Sequence, residues 1–303
     1  MDDKELFEFV GKEELQIKEF VRPSVSYWSD AWRRLKKNRF AMIGLLLIII
    51  LIVFAIIGPI ISPYEYDQTD LNNVYAPMSW KHIFGTDELG RDVLTRVLYG
   101  ARISLAVGFV ASFLNLIIGV IYGGISGYLG GRVDNIMMRI VDILYSVPIL
   151  LIVILLMVVL RPGLTNVFIA LGIAYWVGMA RIVRGQVLSL KEQEFTLAAK
   201  ALGADKKRIL LKHLIPNTIG PIIITATLLI PDAIFFESFL SFIGLGVSAP
   251  MASWGVLASD GARAFMSHPN LFLVPSLFIC ITMLSFNFLG DGLRDSLDPR
   301  LRK

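Results

Sequence analysis

Residues 40–61 form a run of 22 positions without a charged side chain. As a helix rising about 1.5 Å per residue, the run reaches about 33 Å, enough to cross a hydrocarbon layer about 30 Å thick. Within lipid every backbone N–H and C=O has to be satisfied internally, so such a chain folds there as helix or as a closed barrel. The run follows 39 mostly polar residues and ends in Ile57-Gly58-Pro59-Ile60-Ile61, not in the small residues of a cleavage site. It therefore reads as a retained anchor and not as a signal peptide.

Five further apolar runs follow, at 103–125, 140–160, 164–183, 219–243 and 271–289, each of spanning length. Six spans put both termini on one side of the membrane. With that side taken as the cytoplasm, the inner segments hold 23 of the 29 Lys and Arg residues, as the positive-inside rule requires. The expected fold is all-α and integral to the membrane, with six transmembrane helices, cytoplasmic N- and C-termini and a multi-pass location in the cell membrane.

Composition excludes several other classes. Hydrophobic residues make up 55% of the 303 and charged residues 18%, with a mean hydropathy of +0.66. That is too little charge to cover a water-soluble globule, and too much apolar content for a disordered chain. The one cysteine, Cys280, lies within an apolar run, leaving neither a disulfide framework nor a cysteine metal site. The net charge of +4 comes from residues that flank spans and do not gather on one face among aromatics, so a nucleic-acid surface is excluded. His82, His213 and His268 are widely separated and form no metal-binding pattern.

Three segments outside the spans carry information. The basic stretch from Ser26 to Phe40 sets Trp28, Trp32 and Leu35 at i, i+4 and i+7, which predicts an amphipathic helix along the inner membrane surface. The outer loop 62–102, with Gly85-Thr86-Asp87, Gly90-Arg91-Asp92, Arg96 and Gly100-Ala101-Arg102, predicts a turn leading into a short surface helix, its charges solvated. The inner loop is longer than a connection needs. Glu194 to Leu202 has an apolar face at Phe195, Ala199 and Leu202 and meets a stop at Gly203; Asp205 then caps a second helix from Lys206 to about Leu214, and Pro216 interrupts the entry to the fifth span. The result is a helix-turn-helix knob over 191–215. Small residues at fourfold spacing, Gly119, Gly123, Gly127 and Gly131 in one run and Ala170, Ala174 and Gly178 in another, predict close helix packing.

Leu197-Ala198-Ala199-Lys200-Ala201-Leu202-Gly203, nine further residues and His213-Leu214-Ile215-Pro216 resemble the cytoplasmic coupling-loop motif of ABC importer permeases, Glu-Ala-Ala-x-x-x-Gly followed nine residues later by Ile-x-Leu-Pro. Both alanines, the glycine and the proline match. Leu197 stands in place of the motif's Glu, so a carboxylate there falls to Glu194, while His213 and Ile215 replace its Ile and Leu. The outer-loop residues above, Leu240-Ser241-Phe242-Ile243-Gly244-Leu245-Gly246, Trp254-Gly255 and the tail Gly290-Asp291-Gly292-Leu293-Arg294-Asp295 are similar to the second permease subunit of oligopeptide, dipeptide and nickel importers.

The resemblance implies a type I ABC importer-like permease. Its parts are a cytoplasmic N-terminal segment (1–39), a first transmembrane helix (40–61), an extracytoplasmic loop (62–102), a core permease domain (103–290) containing the coupling loop 184–217, and a cytoplasmic tail (291–303). It implies a second homologous permease subunit, ATP-binding subunits that use ATP and Mg, and an extracytoplasmic substrate-binding protein. Oligopeptides or dipeptides are the implied cargo, nickel or another small solute the alternative. The chain itself has no Gly-x-x-x-x-Gly-Lys-Ser/Thr loop, so no cofactor is expected on it. The coupling residues implied are Glu194, Leu197, Ala198, Ala199, Gly203, His213 and Pro216.

Ionisable groups inside spans are functional candidates. Asp142, one turn from Arg139, is expected to pair with it at the inner headgroup level. Asp232 and Glu237 lie deep in the fifth span, about 140° apart around a helix, and are the translocation-pathway candidates, with Glu237 expected near the outer part of the path. Gly124-Ile125-Ser126-Gly127 also matches the short motif of rhomboid-like intramembrane serine proteases, a competing reading that requires a histidine beside Ser126.

Overall fold

The computed structural model describes residues 26–248 and 250–298; the first 25 residues of the N-terminal segment and positions 299–303 of the tail lie outside the described residues. All regular elements among those residues are helical: α1 (Tyr27–Lys37), α2 (Arg39–Ile61), a 3-10 turn (Leu71–Asn73), α3 (Val93–Leu129), α4 (Gly131–Ser146), α5 (Ile149–Leu160), α6 (Leu164–Lys191), α7 (Glu194–Ala201), α8 (Lys206–Arg208), a π-helical turn (Ile209–Leu214), α9 (Ile215–Asn217), α10 (Ile219–Phe242), α11 (Trp254–Arg263) and α12 (Asn270–Leu297). The helices α2, α3, α6, α10 and α12 are each long and apolar enough to span a membrane, and α4 with α5 form a broken sixth candidate bent by 86°.

That bend corrects the expectation of a straight span over 140–160. Pro148 has no N–H to continue a helix and disfavours helical geometry at the residue before it, and Val147 is extended at φ −91°, ψ 130°. The apolar run hides the break because proline interrupts the backbone without interrupting hydropathy. A second difference is the length of α3. Asp92 caps it by accepting from the Thr95 amide at 2.8 Å, so Arg96, Gly100 and Arg102 belong to the first turns of a 37-residue helix and not to a separate surface helix.

Helix α1 breaks from α2 at Asn38, whose side chain accepts from the Ala41 amide at 3.2 Å. Trp28 and Trp32 stay exposed as expected, but Leu35 turns inward and packs near Gly292 of α12. The centre of the molecule is the α3–α6 pair. A Cβ on Gly123 would lie 2.3 Å from the Ala180 carbonyl oxygen, so only glycine lets these backbones approach so closely. The stripe of close approach ends at Gly127; neither Gly131 nor Gly178 has anything near it. At one end of the bundle Val97, Ile234, Trp254 and Phe286 fill the core, in the middle Val107, Met157, Leu171 and Leu240, and at the other end Met179, Val183, Ile209 and Leu214.

Candidate functional site

The knob is assembled from the two short helices read in the sequence. Helix α7 starts at Glu194, and Thr196 is drawn into the protein by donating to the Leu190 carbonyl at 2.9 Å. The chain reverses at Gly203, where φ is +82°, a value natural for glycine and strained for other residues. Asp205 then caps the next segment by accepting from the Arg208 amide at 3.2 Å. Ile209 and Leu214 are buried against Met179, Val183, Val187 and Ile222, which roots the knob in α6 and α10. The helical path continues through Pro216 and is interrupted at Thr218, two residues later than expected.

The exposed surface of the knob sets apolar side chains among charged ones such as Lys200, Lys206, Lys207 and Arg208. Phe195, Leu197 and Leu211 are exposed, and Leu202 is 88% exposed. Glu194, Ala198, Gly203 and Pro216 are exposed beside them, while Ala199 and His213 are half-buried. The resemblance residues thus share one protrusion. Exposed apolar side chains of this kind make the knob a candidate packing surface.

The two carboxylates of α10 separate sharply. Glu237 is 0% exposed; its Oε2 accepts from Ser104 of α3 at 2.9 Å and its Oε1 from Ser241 at 2.8 Å. The same region receives α11, since Trp254 donates its backbone N–H to Ser104 Oγ at 3.3 Å and its indole N–H to the Val97 carbonyl at 3.1 Å. Glu237 therefore ties three helices together through this chain's own hydroxyls. Asp232, one and a half turns earlier, lies on the exposed side of α10.

One expected pairing changes, and the competing reading of Ser126 is resolved. Asp142 pairs with Arg181 of α6 at 2.6 Å and not with Arg139, and Arg181 also lies 4.0 Å from the Tyr145 ring centre. The α4 helix packs toward α6, so a partner across the gap is presented better than one along the same helix. Ser126 donates to Asp134 at 2.5 Å, and Arg184 grips the same carboxylate with two bonds of 2.6 Å. The partner of Ser126 is an acid already neutralised by arginine, and no histidine among the described residues reaches it, so the protease arrangement is not formed.

The loop charges that read as solvated are interior. Asp87 is 6% and Arg96 3% exposed; Asp87 accepts from Arg96, from Arg91 Nε at 2.7 Å and from the Leu89 and Arg91 amides at 2.9 Å each. Burial raises the Asp87 pKa, but Arg96, the two amides and Arg91 outweigh it and hold the carboxyl below its ordinary range. Sequence spacing missed this because Arg96 is brought in by α3 and Asp260 of α11 closes the far side at 3.8 Å.

Comparison with known proteins agrees with this architecture. Residues 115–303 match the family described as binding-protein-dependent transport system inner membrane component, and residues 26–77 match the N-terminal TM domain of oligopeptide transport permease C. The chain is 57% identical over 283 residues to the dipeptide transport system permease protein DppC of Bacillus subtilis, covering 93% of this chain and 88% of that protein. It is 53% identical over 300 residues to the oligopeptide transport system permease protein OppC of the same organism, covering 99% and 98%. Among solved structures, the inward-facing MetNI methionine ABC transporter superimposes with a TM-score of 0.55 at 18% identity, covering 67% of this chain and 96% of that one, a likeness of fold. A knob on a multi-span helical bundle, matched family residues over more than half the chain and whole-length relatives lead to one conclusion: the chain belongs to the binding-protein-dependent transport system inner membrane components, the permease subunits of ABC importers.

Proposed function

We propose that this permease carries oligopeptides or dipeptides inward, paired with a second homologous permease subunit. Separate ATP-binding subunits use ATP and Mg, and an extracytoplasmic substrate-binding protein delivers the cargo. The observation that carries the cargo class is the 53% identity to an oligopeptide permease over 99% of this chain. The knob is the docking point for an ATP-binding subunit on the cytoplasmic side. Phe195, Leu197, Leu202 and Leu211 supply the apolar contact, Ala198 and Ala199 let the partner approach closely, and Glu194, Gly203, His213 and Pro216 shape the turn that presents them. Closure of the ATP-binding subunits pushes this knob, and because Ile209 and Leu214 root it against α6 and α10, the push moves those helices as rigid bodies.

Purification of the assembled importer tests both parts. With Leu202→Asp and Leu211→Asp together, the second permease should be retained and the ATP-binding subunits lost, since each new charge has to be desolvated in an apolar contact. Normal recovery of ATP-binding subunits and normal uptake would refute the docking role. For cargo, uptake of a labelled tripeptide into proteoliposomes, competed by unlabelled peptide and not by nickel, is the expected outcome.

A further inference from the structure

The exposed side of α10 carries an unusual group for a membrane span. Asp232 lies about 20 Å along the helix from Ile219, at mid-membrane depth, and its carboxylate has neither a hydrogen-bond nor an ion-pair partner among the described residues. A carboxylate facing lipid there is strongly unfavourable, so this face borders water, a ligand or the second permease subunit. The surrounding residues are aromatic. Phe235 is 48% exposed next to it, Phe236 meets Phe235 edge-on at 5.7 Å, and Tyr175 of α6 meets Phe236 edge-on at 5.4 Å. Tyr175 is 8% exposed, its hydroxyl has no hydrogen-bond partner, and its ring joins Phe235 through the one intervening ring of Phe236. A buried tyrosine hydroxyl without a partner in an apolar core is costly, and here it lies at the α6–α10 seam that also carries Asp232.

A carboxylate, a hydroxyl acceptor and aromatic rings together suit one ligand chemistry, a protonated amine. The carboxylate supplies the countercharge, the ring faces attract the cation, and the tyrosine oxygen accepts one of its three N–H bonds. We propose that Asp232, Tyr175 and Phe235 form a transient site for the α-ammonium group of the cargo as it passes through the membrane. This rests on the peptide reading above and deepens it, because it makes the free amino end the handle that this subunit holds. Glu237 has no such role, since its carboxylate is enclosed by serine hydroxyls.

The test uses the assembled importer in proteoliposomes with its loaded binding protein, tritiated trialanine as probe, and uptake and ATP hydrolysis measured together. Asp232→Asn is expected to lower uptake about tenfold while peptide-stimulated hydrolysis stays within about twofold, as loss of one charge-assisted contact along the path predicts. Asp232→Glu should restore at least about half of the uptake, and Tyr175→Phe should lower it about threefold. Unchanged uptake by Asp232→Asn in a complex that imports normally would overturn the site. So would loss of the second permease from the purified Asp232→Asn complex, which would make Asp232 an inter-subunit ion pair. If the unaltered complex takes up neither trialanine nor dialanine, the peptide reading itself falls, and this assignment with it.

Discussion

The Ser104 hydroxyl of α3 donates to Glu237 Oε2 of α10 across 2.9 Å, inside a region closed to solvent. A carboxylate held in this way braces helices, because each oxygen collects a hydroxyl from a different place in the chain. Glu237→Ala leaves the hydroxyls of Ser104 and Ser241 without their acceptor and is expected to lower stability by about 1–3 kcal/mol. Glu237→Gln keeps one acceptor oxygen, and serine hydroxyls rotate to accept from the new amide, so insertion and uptake should stay within about twofold. Thermal unfolding of the detergent-solubilised complex, together with uptake, checks both variants. A large loss of uptake in a fully stable Glu237→Gln protein would return the residue to the pathway.

The α3–α6 seam makes a second prediction. Since a Cβ at Gly123 would meet the Ala180 carbonyl oxygen at 2.3 Å, Gly123→Ala forces the helices apart and is expected to destabilise by about 1–3 kcal/mol. Gly178→Ala, with open space around it, should change stability by less than about 1 kcal/mol. Unfolding midpoints of the two variants measured side by side distinguish packing at the seam from a general intolerance of alanine.

At Gly203 the left-handed backbone is required for the reversal between α7 and α8. Gly203→Arg places a side chain in that conformation at a cost of about 1–2 kcal/mol and adds bulk on the docking surface. The bundle should fold normally, while ATP hydrolysis continues without uptake. Normal uptake per ATP hydrolysed would show that the turn is dispensable.

The outer loop should be acid-labile. A carboxyl whose folded pKa lies below its unfolded value near 3.9 stabilises fully above that value, and the stabilisation is lost as pH falls through the folded pKa. Asp87 is such a group. Protection factors for hydrogen exchange at the Leu89 and Arg91 amides, which bond to Asp87, should therefore be high at neutral pH and fall in strong acid. Asp87→Asn leaves Arg96 buried without its main countercharge, a loss of about 3 kcal/mol, and should make the loop exchange rapidly at neutral pH as well.

Much of this molecule is legible along the chain because its strongest signals are local. Apolar length marks α2, α3, α6, α10 and α12, and the glycine that ends α7 and the aspartate that caps α8 need only near neighbours to act. The break at Pro148 was present in the letters but masked by continuous hydropathy, since a window average does not register a missing N–H.

Pairings across the bundle lie beyond such a reading. Asp142 meets Arg181 and not Arg139, Ser126 meets Asp134 and not a histidine, and Asp87 is interior and not solvated, each because a partner arrives on a different helix. The fate of the two α10 carboxylates shows the same division. Helical periodicity separates Asp232 from Glu237 by direction, but which direction points at serines and which at open space depends on where α3, α6 and α11 pack. Hydropathy and backbone chemistry act over one or a few turns and are written in order along the chain. Burial and charge pairing act over a few ångströms in space, between residues such as Ser104 and Glu237 that stand 133 positions apart.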